Sequence, residues 1–253
     1  MDATSKSPFD PLFSEVDNLM KKLISRPALD PAERAQLEEE FVIDESYNAC
    51  AVDGNSLTLM EASIALEGGV VSNKPLKDIL QLTGYRDGLV EAMRAAKEST
   101  QLSLEMIMDL NSKVCTYDFD RAIGRYRSFA ATLSGTDYSP PAPDKIGGMM
   151  EHLLAFYEES DSHPIEAAIL FHSVFTRIQP FEGGNSRTAR LLLNYMLLKA
   201  GYPPITIRLP EIERYKAAIQ EVLDGSGPDT LIHFVVDHLK EQIETIDGIL
   251  PIS

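Results

Sequence analysis

From Ala32 to the end of the chain, apolar residues recur mostly three and four positions apart, as in Leu76, Ile79, Leu80 and then Leu89, Met93. That spacing lines one face of a helix. Leu102 to Cys115 repeats it, and helix resumes at Ile146 to Glu158. Upstream, Phe13, Val16, Leu19, Met20 and Leu23 predict a short amphipathic helix from Phe13 to Ile24, among Pro8, Pro11, Pro27 and Pro31. Residues 1–35 therefore read as a loose tail carrying one helix. The exception is Arg125 to Ser139, where Tyr, Phe and Thr surround a Ser-Gly-Thr-Asp turn before Pro140, Pro141 and Pro143. This pattern predicts a small β-hairpin in an otherwise all-α chain.

The stretch from His163 to Ile205 is the most informative. Pro164 suits a first helical turn; Ile165, Ala168, Ile169, His172, Phe175 and Thr176 share a face, and Pro180 stops the helix. A second helix is expected from Arg187 to Ala200, ended by Gly201 and by Pro203 and Pro204. Its Leu191, Leu192, Leu193, Tyr195, Met196, Leu197 and Leu198 leave almost no polar face beyond the first turn, so it must be central and buried.

Composition narrows the function. The formal charge is −16, which argues against nucleic acid or an anionic membrane as a partner, because both are bound by clustered cations. An apolar fraction of 44% is that of a globular chain. Two cysteines, Cys50 and Cys115, make no disulfide framework or zinc-ribbon spacing. With no signal-peptide pattern and no apolar run long enough to span a bilayer, the expected location is cytoplasmic.

Against that acidic background, Pro164 to Pro210 holds five basic residues and two acids. Gly183, Gly184, Asn185 and Ser186 open directly onto a helix N-terminus, where unpartnered N–H groups and the peptide dipoles favour an anion. Arg187 and Arg190, three apart, share a face and can both fork onto a phosphate; the alternative is that they pair with structural carboxylates. His172 reads as a core histidine, and His233 and His238 lack the third ligand of a metal motif.

At this loop the sequence resembles the Fic (Fido) family, whose motif is His-Pro-Phe-x-Asp/Glu-Gly-Asn-Gly-Arg-x-x-Arg; here it reads Gln179, Pro180, Phe181, Glu182, Gly183, Gly184, Asn185, Ser186, Arg187, Thr188, Ala189, Arg190. The likeness extends to Val52 to Ala62, Gly124 to Ser128, the helices flanking the loop and, more weakly, Arg214 to Gly225. It implies an all-α, Fic-like helical bundle with a β-hairpin flap that clamps a target segment. The implied divisions are a tail at 1–35, N-terminal helices at 36–100, a core at 101–225 and a C-terminal helix and tail at 226–253. The activity implied is transfer of AMP from ATP to a protein hydroxyl, with magnesium at the diphosphate. The target protein would dock at the 125–139 hairpin.

The residues present depart from that pattern. Gln179 stands in the slot of the family's base, and an amide cannot take a proton from a hydroxyl near neutral pH. Gly183 replaces the acidic metal ligand, so magnesium is expected to be weak or absent. Glu182, one residue early, is either a substitute ligand or a solvated loop acid. Gly184, Asn185, Ser186, Arg187 and Arg190 retain the phosphate-gripping part, with Ser186 donating to a phosphate or capping the helix. Asp53 stands where relatives carry an inhibitory Glu that pairs with the second loop arginine; it either reaches Arg190 or ends a helix as an Asp-Gly-Asn turn. The leading expectation is a degenerate Fic protein that binds ATP or another phosphate ligand with AMP transfer lost or strongly reduced. The alternatives are a transferase with altered chemistry and a non-catalytic interaction module that uses the flap.

Overall fold

A computed structural model describes residues 7–118 and 120–250. The helices run α1 (Asp10–Ile24), α2 (Pro31–Ala51), α3 (Leu59–Leu66), α4 (Leu76–Lys97), α5 (Leu104–Val114), α6 (Pro143–Glu159), α7 (Pro164–Ile178), α8 (Asn185–Lys199), α9 (Ile212–Asp224) and α10 (Asp229–Ile249). Local chemistry sets several of the starts. Asp30 accepts from the amides of Ala32 and Glu33 while Glu33 reaches back to the Asp30 amide, and Thr58 with Glu61 repeats this reciprocal cap at α3. None of the described helices is long and apolar enough to cross a membrane.

Helix α8 is the axis of the bundle. Every residue from Arg187 to Leu197 is buried, as its nearly all-apolar pattern requires. It packs against α4 and α7, and also α5 and α2. The approach of α4 depends on two glycines: a Cβ on Gly84 would lie 2.3 Å from the Lys113 carbonyl oxygen, and one on Gly88 2.9 Å from Leu191 Cδ1. Gly201, with φ +89°, ends α8 in the left-handed conformation, as expected. A small apolar cluster of Cys50, Tyr85, Leu89, Val114, Cys115 and Leu191 fills the space between α2, α4, α5 and α8.

Two sequence expectations are corrected. The N-terminal segment is docked along Asp10–Ile24, not loose: α1 lies on α10, and Phe13 and Val16 are fully buried. Phe13 stacks on the His163 ring at a centroid distance of 4.7 Å, Tyr202 donates to Asp17 at 2.6 Å, and Arg26 pairs with Asp247 at 2.7 Å. The pattern of five apolar positions identified the helix but not the surface waiting for it.

The predicted β-hairpin flap at 125–139 is the second. Among the described residues there is no strand ladder there, only an isolated antiparallel bridge between Tyr126 and Phe181. The Arg127 amide donates to Pro180 at 2.9 Å, and its buried guanidinium donates to the carbonyls of Gln179 (2.8 Å), Phe129 (2.8 Å) and Pro141 (2.6 Å). Within the segment the Phe129 carbonyl is thus bonded to Arg127 and not to a facing strand, and Pro140, Pro141 and Pro143, just beyond it, have no N–H to extend a ladder. The turn itself is present at Ser134 and Gly135.

Phe13→Ala removes a fully buried ring and is expected to lower stability by about 3–5 kcal/mol. Urea unfolding checks this, and a loss below about 1 kcal/mol would mean that α1 is not docked in solution.

Candidate functional site

Helices α7 and α8 are joined by the loop Gln179 to Gly184, and its two ends adopt left-handed backbone. Gln179 has φ 48° and Gly184 φ 71°. Glycine suits this conformation, whereas a glutamine there costs about 1 kcal/mol or more, which the surrounding contacts must offset. They do so on both sides: Arg127 Nε holds the Gln179 carbonyl at 2.8 Å, and Gln179 Nε2 donates back to the Thr176 carbonyl at 2.8 Å. The side chain that stands in the family's base slot thus satisfies an orphan carbonyl at the end of α7. Ser186 is helical, so it carries no left-handed strain.

The loop interior is closed by Asn185, whose Oδ1 accepts from the Phe181 amide at 2.9 Å and whose Nδ2 donates to the Phe181 carbonyl at 2.8 Å. Both of its polar atoms are spent on the loop. Asn111, buried on α5, braces it from beneath: Nδ2 donates to Gly183 O at 3.0 Å and Thr188 Oγ1 at 3.2 Å, and Oδ1 accepts from the Gly124 amide at 3.1 Å. Glu182 is neither free nor aimed at a metal position: Oε2 accepts from the Ala122 amide at 3.2 Å. Among the described residues, no three His, Cys, Asp or Glu side chains converge as metal ligands.

The first turn of α8 has no side-chain cap. From it project two guanidiniums, Arg187 at 4% exposure and Arg190 at 3%. Asp53, just beyond the end of α2, faces both, with Oδ2 2.9 Å from Arg187 Nε and 3.5 Å from Arg190 Nη2. It also lies in the turn that ends α2, where Gly54 has φ +90°, so the two sequence readings of Asp53 describe one arrangement. The Arg187 approach is off the N–H axis, leaving Nε and Nη1 buried without a hydrogen-bond acceptor. Arg187 Nη2 donates to Tyr117 Oη at 2.5 Å, and the guanidinium lies over that ring. Arg190 donates to Ser186 Oγ at 2.6 Å and to the Ala49 carbonyl at 2.7 Å. Burial works against the Arg187 charge, but Asp53 and then Tyr117 outweigh it and hold its pKa above the ordinary value. Arg190 is shifted the same way, with Asp53 the leading attraction.

Behind Arg190 lies a buried carboxyl that the sequence did not single out. Glu45 is 1% exposed, accepts from Tyr85 Oη at 2.7 Å, and is pushed by burial up to about 7, with Tyr85 and Arg190 opposing the shift. His172 is the core histidine expected: 1% exposed, with Nε2 3.0 Å from Tyr215 Oη and its pKa lowered by burial to about 3. His238 is held by the Phe234 carbonyl and Glu211, away from the loop.

In front of Arg187, Asp53, Gly54, Lys77, Tyr117, Arg121 and Gly184 line a cleft of about 380 Å³. Lys77, Tyr117 and Arg121 were not picked out by sequence reasoning. They have no spacing relation to the loop, and only the basic character of Lys77 and Arg121 was there to be read. A larger cleft, about 680 Å³, lies between the 25–30 segment, α2 and α10; it is mainly apolar and contains none of the loop's groups.

The Fic/DOC family model matches residues 101–197. The protein adenylyltransferase Fic of Nematostella vectensis is 31% identical over 223 residues, which cover 85% of this chain and 51% of that protein. The chain thus spans about half the length of the curated relatives it matches. A Fic domain containing signaling protein from Bacteroides thetaiotaomicron shares the fold at a TM-score of 0.81 and 22% identity, covering 93% of this chain and 95% of that one. IbpAFic2, solved in complex with adenylylated Cdc42, shares it at 0.55 and 18% identity, covering 95% and 72%. The chain belongs to the Fic/DOC family.

The buried pair Glu45 and His172 fixes a pH signature. Glu45 has a folded pKa of about 7 against an ordinary 4.5, so the folded state keeps a proton that the unfolded chain releases, and stability falls as pH rises through that window. His172, at about 3 against 6.5, acts oppositely: stability is lost as pH falls below 6.5. Their slopes therefore oppose between pH 4.5 and 6.5. In Glu45→Gln the His172 slope is uncovered. Its stability relative to the wild type, from urea unfolding at stepped pH, is expected to rise between about pH 4.5 and 7, by up to roughly 3 kcal/mol. A pH-independent difference would contradict the assignment.

Proposed function

We propose that this Fic-family chain binds ATP or a related nucleoside phosphate against the first turn of α8, and that it transfers AMP to protein hydroxyls weakly or not at all. The observation that carries the reading is the pairing of two nearly fully buried arginines, Arg187 and Arg190, with an uncapped helix start beside an open cleft. Arg187 has a buried nitrogen without an acceptor, and first-turn amides are natural phosphate donors. The phosphate-facing set is then Gly184, Ser186, Arg187 and Arg190, with Asn185 contributing its backbone while its side chain braces the loop.

Weak transfer follows from what stands beside that set. Gln179 offers an amide already donating to Thr176, and the His172 imidazole, which the same helix carries two turns earlier, is enclosed in the core. A well-placed base contributes about 10² to 10⁴ in rate, so its absence slows transfer without affecting phosphate binding. Asp53 is the internal competitor, occupying both arginines until a phosphate displaces it. The supporting relatives are named protein adenylyltransferases, and a protein partner fits the 125–139 segment, whose Phe129 is 52% exposed beside unladdered backbone.

Calorimetric titration with ATP is expected to show binding by the wild type, loss of at least about tenfold in affinity for Arg187→Ala, and a gain of similar size for Asp53→Asn. Absence of binding by both the wild type and Asp53→Asn would remove the ligand assignment. Gln179→His combined with Gly183→Asp is expected to raise AMP transfer to itself or to lysate proteins by about 10² or more, followed with labelled ATP. Wild-type transfer as fast as that of the double variant would overturn the reduced-activity reading.

A further inference from the structure

The magnesium that the family likeness implies does not fit the residues present. Gly183 offers no carboxylate, and the Glu182 carboxylate is turned to the Ala122 amide at 3.2 Å. The space where a side chain at 183 would begin is occupied by a cation: an ideal Cβ on Gly183 would lie 2.9 Å from Arg121 Nη1. Arg121 is held there by two contacts, Nη1 donating to the Glu182 carbonyl at 3.1 Å and Nε facing Asp118 at 3.2 Å. A divalent ion at this edge would sit against a guanidinium and find no carboxylate directed to it from the loop.

We propose that Arg121 takes the place of the metal, so that the cleft accepts a nucleoside diphosphate or triphosphate as the metal-free polyanion. Arg121 and Lys77 lie on the cleft wall with Gly184 and Arg187. The buried Arg187 Nη1 without an acceptor, which supports the phosphate site, lies on the same side chain that lines this cleft. A guanidinium is charged at every accessible pH, forks onto two phosphate oxygens and imposes no octahedral geometry. It therefore supplies the charge neutralisation of a metal ion from the protein itself, and added magnesium competes with it for the same oxygens. A carboxylate at 183, as in Gly183→Asp, would pair with the guanidinium and open that edge of the cleft to a divalent ion, so the metal-free and metal-bound modes exclude each other. The inference rests on the phosphate-binding reading above.

The test is titration of the full chain with ADP, once with excess magnesium and once with EDTA. Wild-type affinity in EDTA is expected to equal or exceed that in magnesium. Arg121→Gln is expected to lose about tenfold in EDTA, with the unliganded melting curve unchanged because its side chain is 52% exposed. Arg121→Lys should recover part of the loss. Binding that requires magnesium, or an Arg121→Gln affinity equal to wild type while Arg187→Ala is impaired, overturns the role of Arg121 and leaves the phosphate site standing. Failure of wild type and Asp53→Asn to bind ADP in either buffer overturns the phosphate site and this inference with it.

Discussion

The arrangement turns on two permanent positive charges, Arg187 and Arg190, carried into the protein interior by the first turn of its most buried helix. Moving an ion out of water costs several kcal/mol even after relaxation, so each guanidinium must find anions or oriented oxygens where it lands. Among the described residues, Asp53 faces both, at 2.9 and 3.5 Å. Glu45 is also close to Arg190, but burial raises its pKa to about 7, so near neutrality it is only partly an anion. The remainder is made up by neutral oxygens: Tyr117, Ser186 and the Ala49 carbonyl. Two cations at a helix start, where the dipole is itself positive, share one neighbouring carboxylate, and that is the setting in which a polyanion is proposed to bind.

The loop ahead of α8 is tied down at several points. Gln179 holds a left-handed conformation unusual for a non-glycine residue, and its neighbours over-determine it from both sides. Asn185 closes the loop on Phe181, and Asn111 ties Gly183 to Gly124 on a separate segment. Gly184 could carry no side chain here, since a Cβ would meet Cys115 Sγ at 2.5 Å. The same packing that demands glycine brings the backbone amides within reach of the cleft.

Much of this was legible in the residues, and the parts that were not have a common cause. The apolar run from Leu191 to Leu198 forced a central helix, Pro164 and Gly201 marked its surroundings, and His172 fell on the apolar face of α7; one-dimensional spacing carries such information. What spacing cannot carry is a polar contact between segments far apart in the chain. Arg121 meets the loop 61 positions on, Arg187 meets Tyr117 70 positions back, and Asn111 lies 72 from Gly183. The 125–139 segment misled for a related reason: its Tyr, Phe and Thr pattern is that of strands, but the buried Arg127 ties it to the Gln179–Pro180 backbone and takes the Phe129 carbonyl. On α1 the apolar stripe was read correctly, and only its destination on α10 was missing.

A net charge of −16 opposes the binding of the anion proposed for this cleft. Screening resolves the conflict. At physiological ionic strength the Debye length is about 8 Å, so acids on remote exposed faces contribute little at the mouth of the cleft, whereas charges within it act nearly unscreened. Lys77, Arg121 and Arg187 therefore set the local potential, opposed by Asp53 and by Asp78, which is already bonded to Ser56. For the proposed ligand the net charge then has a second consequence: a nucleic acid long enough to extend past the cleft meets an acidic protein beyond it, whereas a compact polyphosphate meets mainly the groups that line the cleft.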